Sequence, residues 1–132
     1  MTATKELLDA NAAYYRAFNT RDSAEMNRIW ANDPVSCIHP GWPVLIGRTA
    51  VIASYRRILD NLAQETLDCR DAVPFMSGSE GRVLCTEAAG ELTLAVTNWF
   101  TRTDGGWRMI HHQASLIAEP QEHAPPPRRR LN

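Results

Sequence analysis

No stretch of the 132-residue sequence approaches the roughly 20 consecutive apolar residues that a membrane span requires. The opening Met1-Thr-Ala-Thr-Lys-Glu also lacks the apolar core of a signal peptide. Cysteine is scarce. Cys37, Cys69 and Cys85 are an odd number with no Cys-x-x-Cys pair, which speaks against a disulfide framework and a thiolate zinc site and for a reducing compartment. No charge sign dominates, with 14 Lys+Arg against 15 Asp+Glu and a formal net charge of −1. A chain so balanced projects no field that would recruit nucleic acid or an anionic membrane. There is no phosphate loop, no dinucleotide fingerprint and no Gly-x-Ser-x-Gly elbow. The four histidines, His39, His111, His112 and His123, show no His-x-x-x-His spacing. No metal and no cofactor is expected, and the expected location is the cytoplasm.

What is present suits one compact α+β domain: 44% hydrophobic and 22% charged residues in a length too short for two ordinary domains. Residues 1–120 are expected to form that domain. Residues 121–132, with Pro125-Pro-Pro-Arg-Arg-Arg130, read as an extended or disordered tail.

Helical periodicity is clearest over residues 5–19, where Leu7, Leu8, Asn11, Tyr14, Tyr15 and Phe18 share one face and Lys5, Glu6, Asp9 and Arg16 the other. Asn11 in that apolar stripe must find a partner or line a cavity, because an unpaired buried amide costs about 1–3 kcal/mol. Asp22 and Glu25 have capping-box spacing ahead of Met26, Ile29 and Trp30. A short strand is expected over Val35–His39, then a turn at Pro40-Gly41-Trp42-Pro43. A third helix follows Gly47, presenting Ile52, Tyr55, Leu59 and Leu62 on one side. From about Glu65 the pattern becomes strands near 65–77, 82–89, 91–103 and 107–118, broken by glycine-containing turns.

The run Ala12-Ala-Tyr14-Tyr-Arg-Ala-Phe-Asn-Thr-Arg-Asp22, then Met26-Asn-Arg-Ile-Trp30, then Gly47-Arg48 opening a helix with Tyr55, resembles the SnoaL-like and ketosteroid-isomerase-like branch of the nuclear transport factor 2 superfamily. The ending Gly106-Trp107-Arg108-Met-Ile-His-His-Gln-Ala-Ser115 resembles the closing strand of many members. The resemblance implies a cone-shaped barrel, with three N-terminal helices packed in a strongly curved, mostly antiparallel sheet around a deep apolar pocket. It implies a homodimer through the outer sheet face as well. The sequence agrees, because Leu92, Leu94, Val96 and Phe100 alternate with Ala95 and Trp99, which puts apolar residues on both faces.

On the ketosteroid isomerase pattern, Tyr14 falls at the oxyanion-hole tyrosine, and Trp30 and Tyr55 at two supporting tyrosines. The proton-shuttling aspartate is replaced by Ile38 and the protonated aspartic acid by Val96. The isomerase mechanism does not transfer with two of its three elements missing.

The candidate pocket residues are therefore Asn11, Tyr14, Trp30, Ile38, His39, Trp42, Tyr55, Val96, Asn98 and His112, with Tyr14 and His112 as the catalytic candidates. Tyr14 is either a core tyrosine tied to Tyr55 or a donor to a ligand oxygen. Strand alternation points His39 away from the pocket unless Pro40 swings it to the rim. His111 and His112 face opposite sides of the last strand, and the resemblance puts Ile110, His112 and Ala114 inside, with Trp107, Met109 and His111 outside. Asn98 either donates to a ligand carbonyl or satisfies a neighbouring group. Three kinds of function fit, two of which use the pocket: cofactor-independent acid–base chemistry on a carbonyl-containing ring compound, or non-catalytic binding of a small apolar molecule. A dimerising module with a vestigial pocket is the third.

Overall fold

The computed structural model describes residues 2–118, and the expected tail at 121–132 lies outside the described residues. Nine elements follow in order: α1 (Ala3–Asn19), α2 (Ser23–Ile29), β1 (Ser36–Ile38), β2 (Leu45–Ile46), α3 (Arg48–Asp60), β3 (Asp68–Ser77), β4 (Glu80–Ala89), β5 (Leu92–Thr103) and β6 (Gly106–Leu116). The six strands form one sheet in the order β2-β1-β6-β5-β4-β3. Only β1 and β6 run parallel. The three helices and the curved, mostly antiparallel sheet are the α+β architecture expected from the sequence.

Each helix begins where a side chain or backbone conformation favours it. Thr2 accepts a hydrogen bond from Lys5 N at 3.0 Å and caps α1. Asp22 does the same for α2 through Glu25 N. The return half of the capping box is absent, because the Glu25 carboxylate pairs with Arg28 at 2.8 Å. Gly47 enters α3 with φ 98°, a left-handed conformation that favours glycine. The buried side of α3 is Val51, Ser54, Tyr55 and Leu59. Leu62, expected on that side, lies past the helix end and is 86% exposed.

The apolar face of α1 lies in the concave sheet, where Leu7, Tyr14, Tyr15 and Phe18 are buried. A Cβ on Gly81 of β4 would sit 2.6 Å from Leu7 Cδ2, so the bare glycine permits the close approach of helix to strand. Asn19 pairs with Leu67 like a short strand, donating to its carbonyl and accepting from its amide, both at 2.8 Å. Arg21 donates to the carbonyls of Leu59, Asn61, Leu62 and Gln64, fastening the α3–β3 connection to the end of α1.

Two strand assignments depart from the sequence reading. Leu45–Ile46 forms β2, a strand too short to carry an alternation signal, held by pairing with Ser36 and Cys37. In β6, Trp99 pairs with His111 but Phe100 pairs with Met109. Ile110 is thus the extra residue of a β-bulge, and the in–out alternation shifts there. Met109 is fully buried, not on the outer face as expected, while Ile110 is only half-buried. His112 and Ala114 face inward.

Candidate functional site

A cavity of about 630 Å³ opens inside the curve of the sheet, between α1, the β1–β2 connection, α3 and the ends of β4, β5 and β6. Its polar or aromatic lining includes Tyr14, His39, Trp42, Arg57, Glu87 and His112, and Phe18, Leu67, Leu94 and Ile58 supply apolar wall. That volume lies within the roughly 300–1,000 Å³ of small-molecule sites.

The histidines arrive by register. In the parallel pairing of β1 with β6, Cys37 stands opposite His112, so both point to the same side. Alternation then sends His39 inward, 4% exposed, and turns Ile38 outward. This reverses the expected phase of β1. Ile38 does not line the cavity, and His39 does.

Both rings have one nitrogen committed. Ser54 Oγ donates to Val51 O at 2.6 Å and so accepts from His39 Nε2 at 2.9 Å. Asn98 Nδ2 donates to Asn11 Oδ1 at 2.8 Å and to the Tyr15 hydroxyl at 3.0 Å. Its Oδ1 is left as acceptor, so His112 Nδ1 donates to it at 2.6 Å. His112 Nε2 then carries a lone pair and has no protein partner among the described residues. Burial, reinforced by His39 and His111, lowers the His112 pKa to about 3. Burial alone lowers that of His39 to about 4. Both imidazoles are neutral at pH 7, with ring centres 6.2 Å apart.

Tyr14 meets Tyr55 at 2.6 Å between hydroxyl oxygens, and its ring lies 5.3 Å from that of His112. Burial raises both phenol pKa values well above 10, so both remain protonated donors. Beyond them, Tyr55 Oη is 3.8 Å from Cys37 Sγ. Burial pushes the Cys37 thiol up to about 12, which leaves it protonated and a poor nucleophile.

Glu87 is the functional candidate that the sequence reading missed. It is 2% exposed, accepts from the Tyr15 hydroxyl at 2.7 Å, and burial raises its pKa to about 6. Its one sequence signal is phase, since Glu87 falls in step with the inward-facing Gly81, Val83 and Cys85 of β4. It stands opposite Leu94, beside the Cys85–Val96 pair. The chain therefore carries a buried carboxyl one strand away from the position where the resemblance replaces an acid with Val96. Arg57, also missed, sits at the mouth with its guanidinium 5.3 Å from the Trp42 ring centre.

Of the ten expected residues, the structure brings Tyr14, His39, Trp42 and His112 to the cavity wall. Tyr55, Asn98 and Asn11 stand behind that wall, joined to it by hydrogen bonds. Val96 and Trp30 are buried in the core, Trp30 packing 5.8 Å from Tyr55 between ring centres. A second depression of about 670 Å³ lies outside the cone beside Trp30. Its arginines are engaged, Arg48 with the carbonyls of Asn27, Trp30 and Ala31, and Arg108 with that of Arg28. Among the described residues, no group of three or more His, Cys, Asp or Glu is placed to hold a metal ion. Among them too, no helix is long and apolar enough to cross a membrane.

Helices enclosed by a curved sheet around an inner cavity define the cystatin-like, NTF2-like class of cone folds. A solved structure from Nostoc punctiforme described as a cystatin-like fold superposes with a TM-score of 0.70 over 86% of this chain and 90% of that one, at 15% identity. The chain belongs to the SnoaL-like domain family, whose model matches residues 7–119. It is 31% identical to a candidate dehydratase of the NTF2-like family from Streptomyces avermitilis, covering 88% of this chain and 96% of that one with a TM-score of 0.82. It is 32% identical to a candidate calcium/calmodulin-dependent protein kinase type II association domain from Thiobacillus denitrificans, covering 82% and 92% with a TM-score of 0.74. Among curated proteins, the F-box protein SKIP8 of Arabidopsis thaliana is 24% identical over 86% of this chain. The chain spans about half of that relative's length, 51%.

Proposed function

We propose that the chain binds a small, mainly apolar carbonyl compound in the inner cavity and moves a proton on it without a cofactor. The carrying observation is the neutral His112, its Nδ1–H held by Asn98 and its Nε2 lone pair left without a protein partner, beside the protonated Tyr14–Tyr55 pair. In this reading Tyr14 donates to the carbonyl oxygen, and His112 Nε2 removes a proton from the adjacent carbon. The electron pair of the broken C–H bond passes to the oxygen, where the phenol stabilises the growing charge in a poorly hydrated site. Loss of a β-hydroxyl from such a compound would begin with the same step, which accords with the word dehydratase attached to the Streptomyces relative.

The test is hydrogen exchange. The protein is incubated in D2O with a panel of mono- and bicyclic ketones and β-hydroxy ketones, 1-tetralone among them, and proton NMR follows loss of the α-hydrogen signals. Exchange faster than in buffer, abolished by His112→Ala, supports the reading. A panel that exchanges at the buffer rate, or exchange indifferent to His112→Ala, overturns it. Binding without exchange would instead support the non-catalytic alternative.

A homodimer through the outer sheet face belongs to the same proposal. Trp99, Val73 and Phe75 stand on that face, the last two 48% and 43% exposed, and Arg82 lies over the Phe75 and Trp99 rings. Cys37, Cys69 and Cys85 are free thiols, which supports the proposed cytoplasmic location.

A further inference from the structure

The hydrogen bonds behind His112 form a branched chain, with Cys85 Sγ also 3.4 Å from the Tyr15 hydroxyl, whose direction can be read residue by residue. The Glu87 carboxylate accepts from Tyr15 (2.7 Å), and the Tyr15 oxygen accepts from Asn98 Nδ2 (3.0 Å). Asn98 Nδ2 also serves Asn11 Oδ1 (2.8 Å), while Asn11 Nδ2 donates to Cys69 Sγ (3.6 Å). The opposite end of the Asn98 amide accepts from His112 Nδ1 (2.6 Å).

Every member of this chain except the ionised carboxylate can both donate and accept. The whole pattern therefore has a mirror image in which every hydrogen bond of the chain is kept with its direction reversed, and the only new exposed donor is the His112 Nε2–H, which faces the cavity. Protonated Glu87 keeps one acceptor oxygen and gains a hydroxyl; when that hydroxyl donates to Tyr15, Tyr15 donates onward to Asn98 Oδ1. The Asn98 amide turns over and Asn11 with it, so that Asn11 Nδ2 donates to Asn98 Oδ1 and Cys69 S–H donates to Asn11 Oδ1. Asn98 Nδ2 now points at His112 Nδ1, which must become the acceptor, and the ring proton moves to Nε2. An ionised Glu87 forbids this state, because a carboxylate cannot donate.

We infer that Glu87, acting through Tyr15 and Asn98, sets which ring nitrogen of His112 carries the proton, and so whether the cavity is offered a base or a hydrogen-bond donor. Glu87 is then a positioning residue for His112. The inference rests on the proposed role of His112 only for its chemical consequence, since the tautomer is a property of the ligand-free protein.

The neighbourhood leaves the switch to Glu87. The titratable groups within reach of its carboxyl are Tyr14 and Tyr15 on α1, Cys37 on β1, Cys69 on β3 and Cys85 on its own strand. None of these is a cation. His112 is faced by Tyr14 and His39, with His111 beside it on the other face of β6. From α3, Arg57 lines the same cavity at its mouth. Glu87 titrates near pH 6, whereas His112 stays neutral down to about 3, so a change at His112 around pH 6 is a change of tautomer and not of charge.

The experiment is long-range proton–nitrogen NMR on protein labelled with 15N-histidine, recorded without ligand from about pH 4.5 to 8. His112 is expected as the Nδ1–H tautomer above pH 6 and as Nε2–H below it. Tyr15→Phe cuts the connection, and Glu87→Gln removes the titration. In both variants the His112 tautomer is expected to stay constant across the range. Should Tyr15→Phe fail to fold, Glu87→Gln decides. The same tautomer on both sides of pH 6 in the unaltered protein overturns the inference, as does a transition that survives in either variant. Ketone exchange can fail while this switch holds, and the reverse, so the two readings fail separately.

Discussion

Acidification should unfold this protein through two histidines and be opposed by one glutamate. In the unfolded chain each imidazole has a pKa near 6.5, whereas in the folded protein His39 and His112 bind a proton only near pH 4 and pH 3. Stability from these groups is therefore complete above about pH 6.5 and is lost as the pH falls toward the folded values. At about pH 4.5, two units below the unfolded pKa, each histidine favours the unfolded chain by about 2.7 kcal/mol, or about 5 kcal/mol together. Glu87 acts in the opposite sense. Its folded pKa of about 6 exceeds the ordinary 4.5, so its contribution is present at low pH and lost as the pH rises through 6. It returns about 1.5 kcal/mol at pH 4.5, for a net loss of about 3.5 kcal/mol between pH 7.5 and 4.5. Urea unfolding followed by tryptophan fluorescence at fixed protein concentration measures this directly. The Glu87→Gln variant should lose more over the same interval, about 5 kcal/mol. A wild-type loss under about 1 kcal/mol, or a shallower loss in the variant, would refute the assignment of neutral buried histidines opposed by a buried carboxyl.

Other perturbations probe separate parts of the account. Gly81→Ala drives a Cβ to within 2.6 Å of Leu7 Cδ2 and should cost about 1–3 kcal/mol in urea unfolding, because the fully buried Leu7 side chain must give way in a packed core. Arg21→Ala removes the side-chain donor from the carbonyls of Leu59, Leu62 and Gln64 and leaves that of Asn61 with Gln64 N alone, and should cost about 2 kcal/mol, a fall of roughly 7 °C in a thermal melt. Tyr14→Phe leaves the Tyr55 hydroxyl with only the Cys37 sulfur at 3.8 Å, so stability should drop by about 1–2 kcal/mol. The same variant should slow α-proton exchange at least tenfold if the phenol stabilises the oxygen.

The fold was legible because its signals are long. Seventeen residues of α1 carry one apolar face, and β4 and β5 are alternating strands of ten and twelve residues. Short or irregular elements gave no such signal. β2 has two residues and exists only through its partner. In β6 the one-residue bulge at Ile110 changes the phase of everything before it, so regular alternation puts Met109 outside although it is buried, while His112 and Ala114, beyond the bulge, keep their inward phase. His39 and Ile38 exchanged faces for a related reason, since a three-residue strand takes its phase from β6 and not from its own pattern. The polar network was half legible. Asn11 and Asn98 announce themselves as amides in apolar stripes, and they meet at 2.8 Å across 87 residues of sequence. Glu87 reads as an ordinary strand carboxylate until its alternation with Val83 and Cys85 is taken seriously.

The central claim is that a carbonyl compound sits between Tyr14 and His112, and a crystal soaked with 1-tetralone tests it most directly. The ketone is expected inside the cone, its oxygen within hydrogen-bond distance of Tyr14 Oη and its α-carbon facing His112 Nε2. Ketone bound only in the outer depression beside Arg48 and Arg108, or a cavity closed by its own side chains in the crystal, would contradict it.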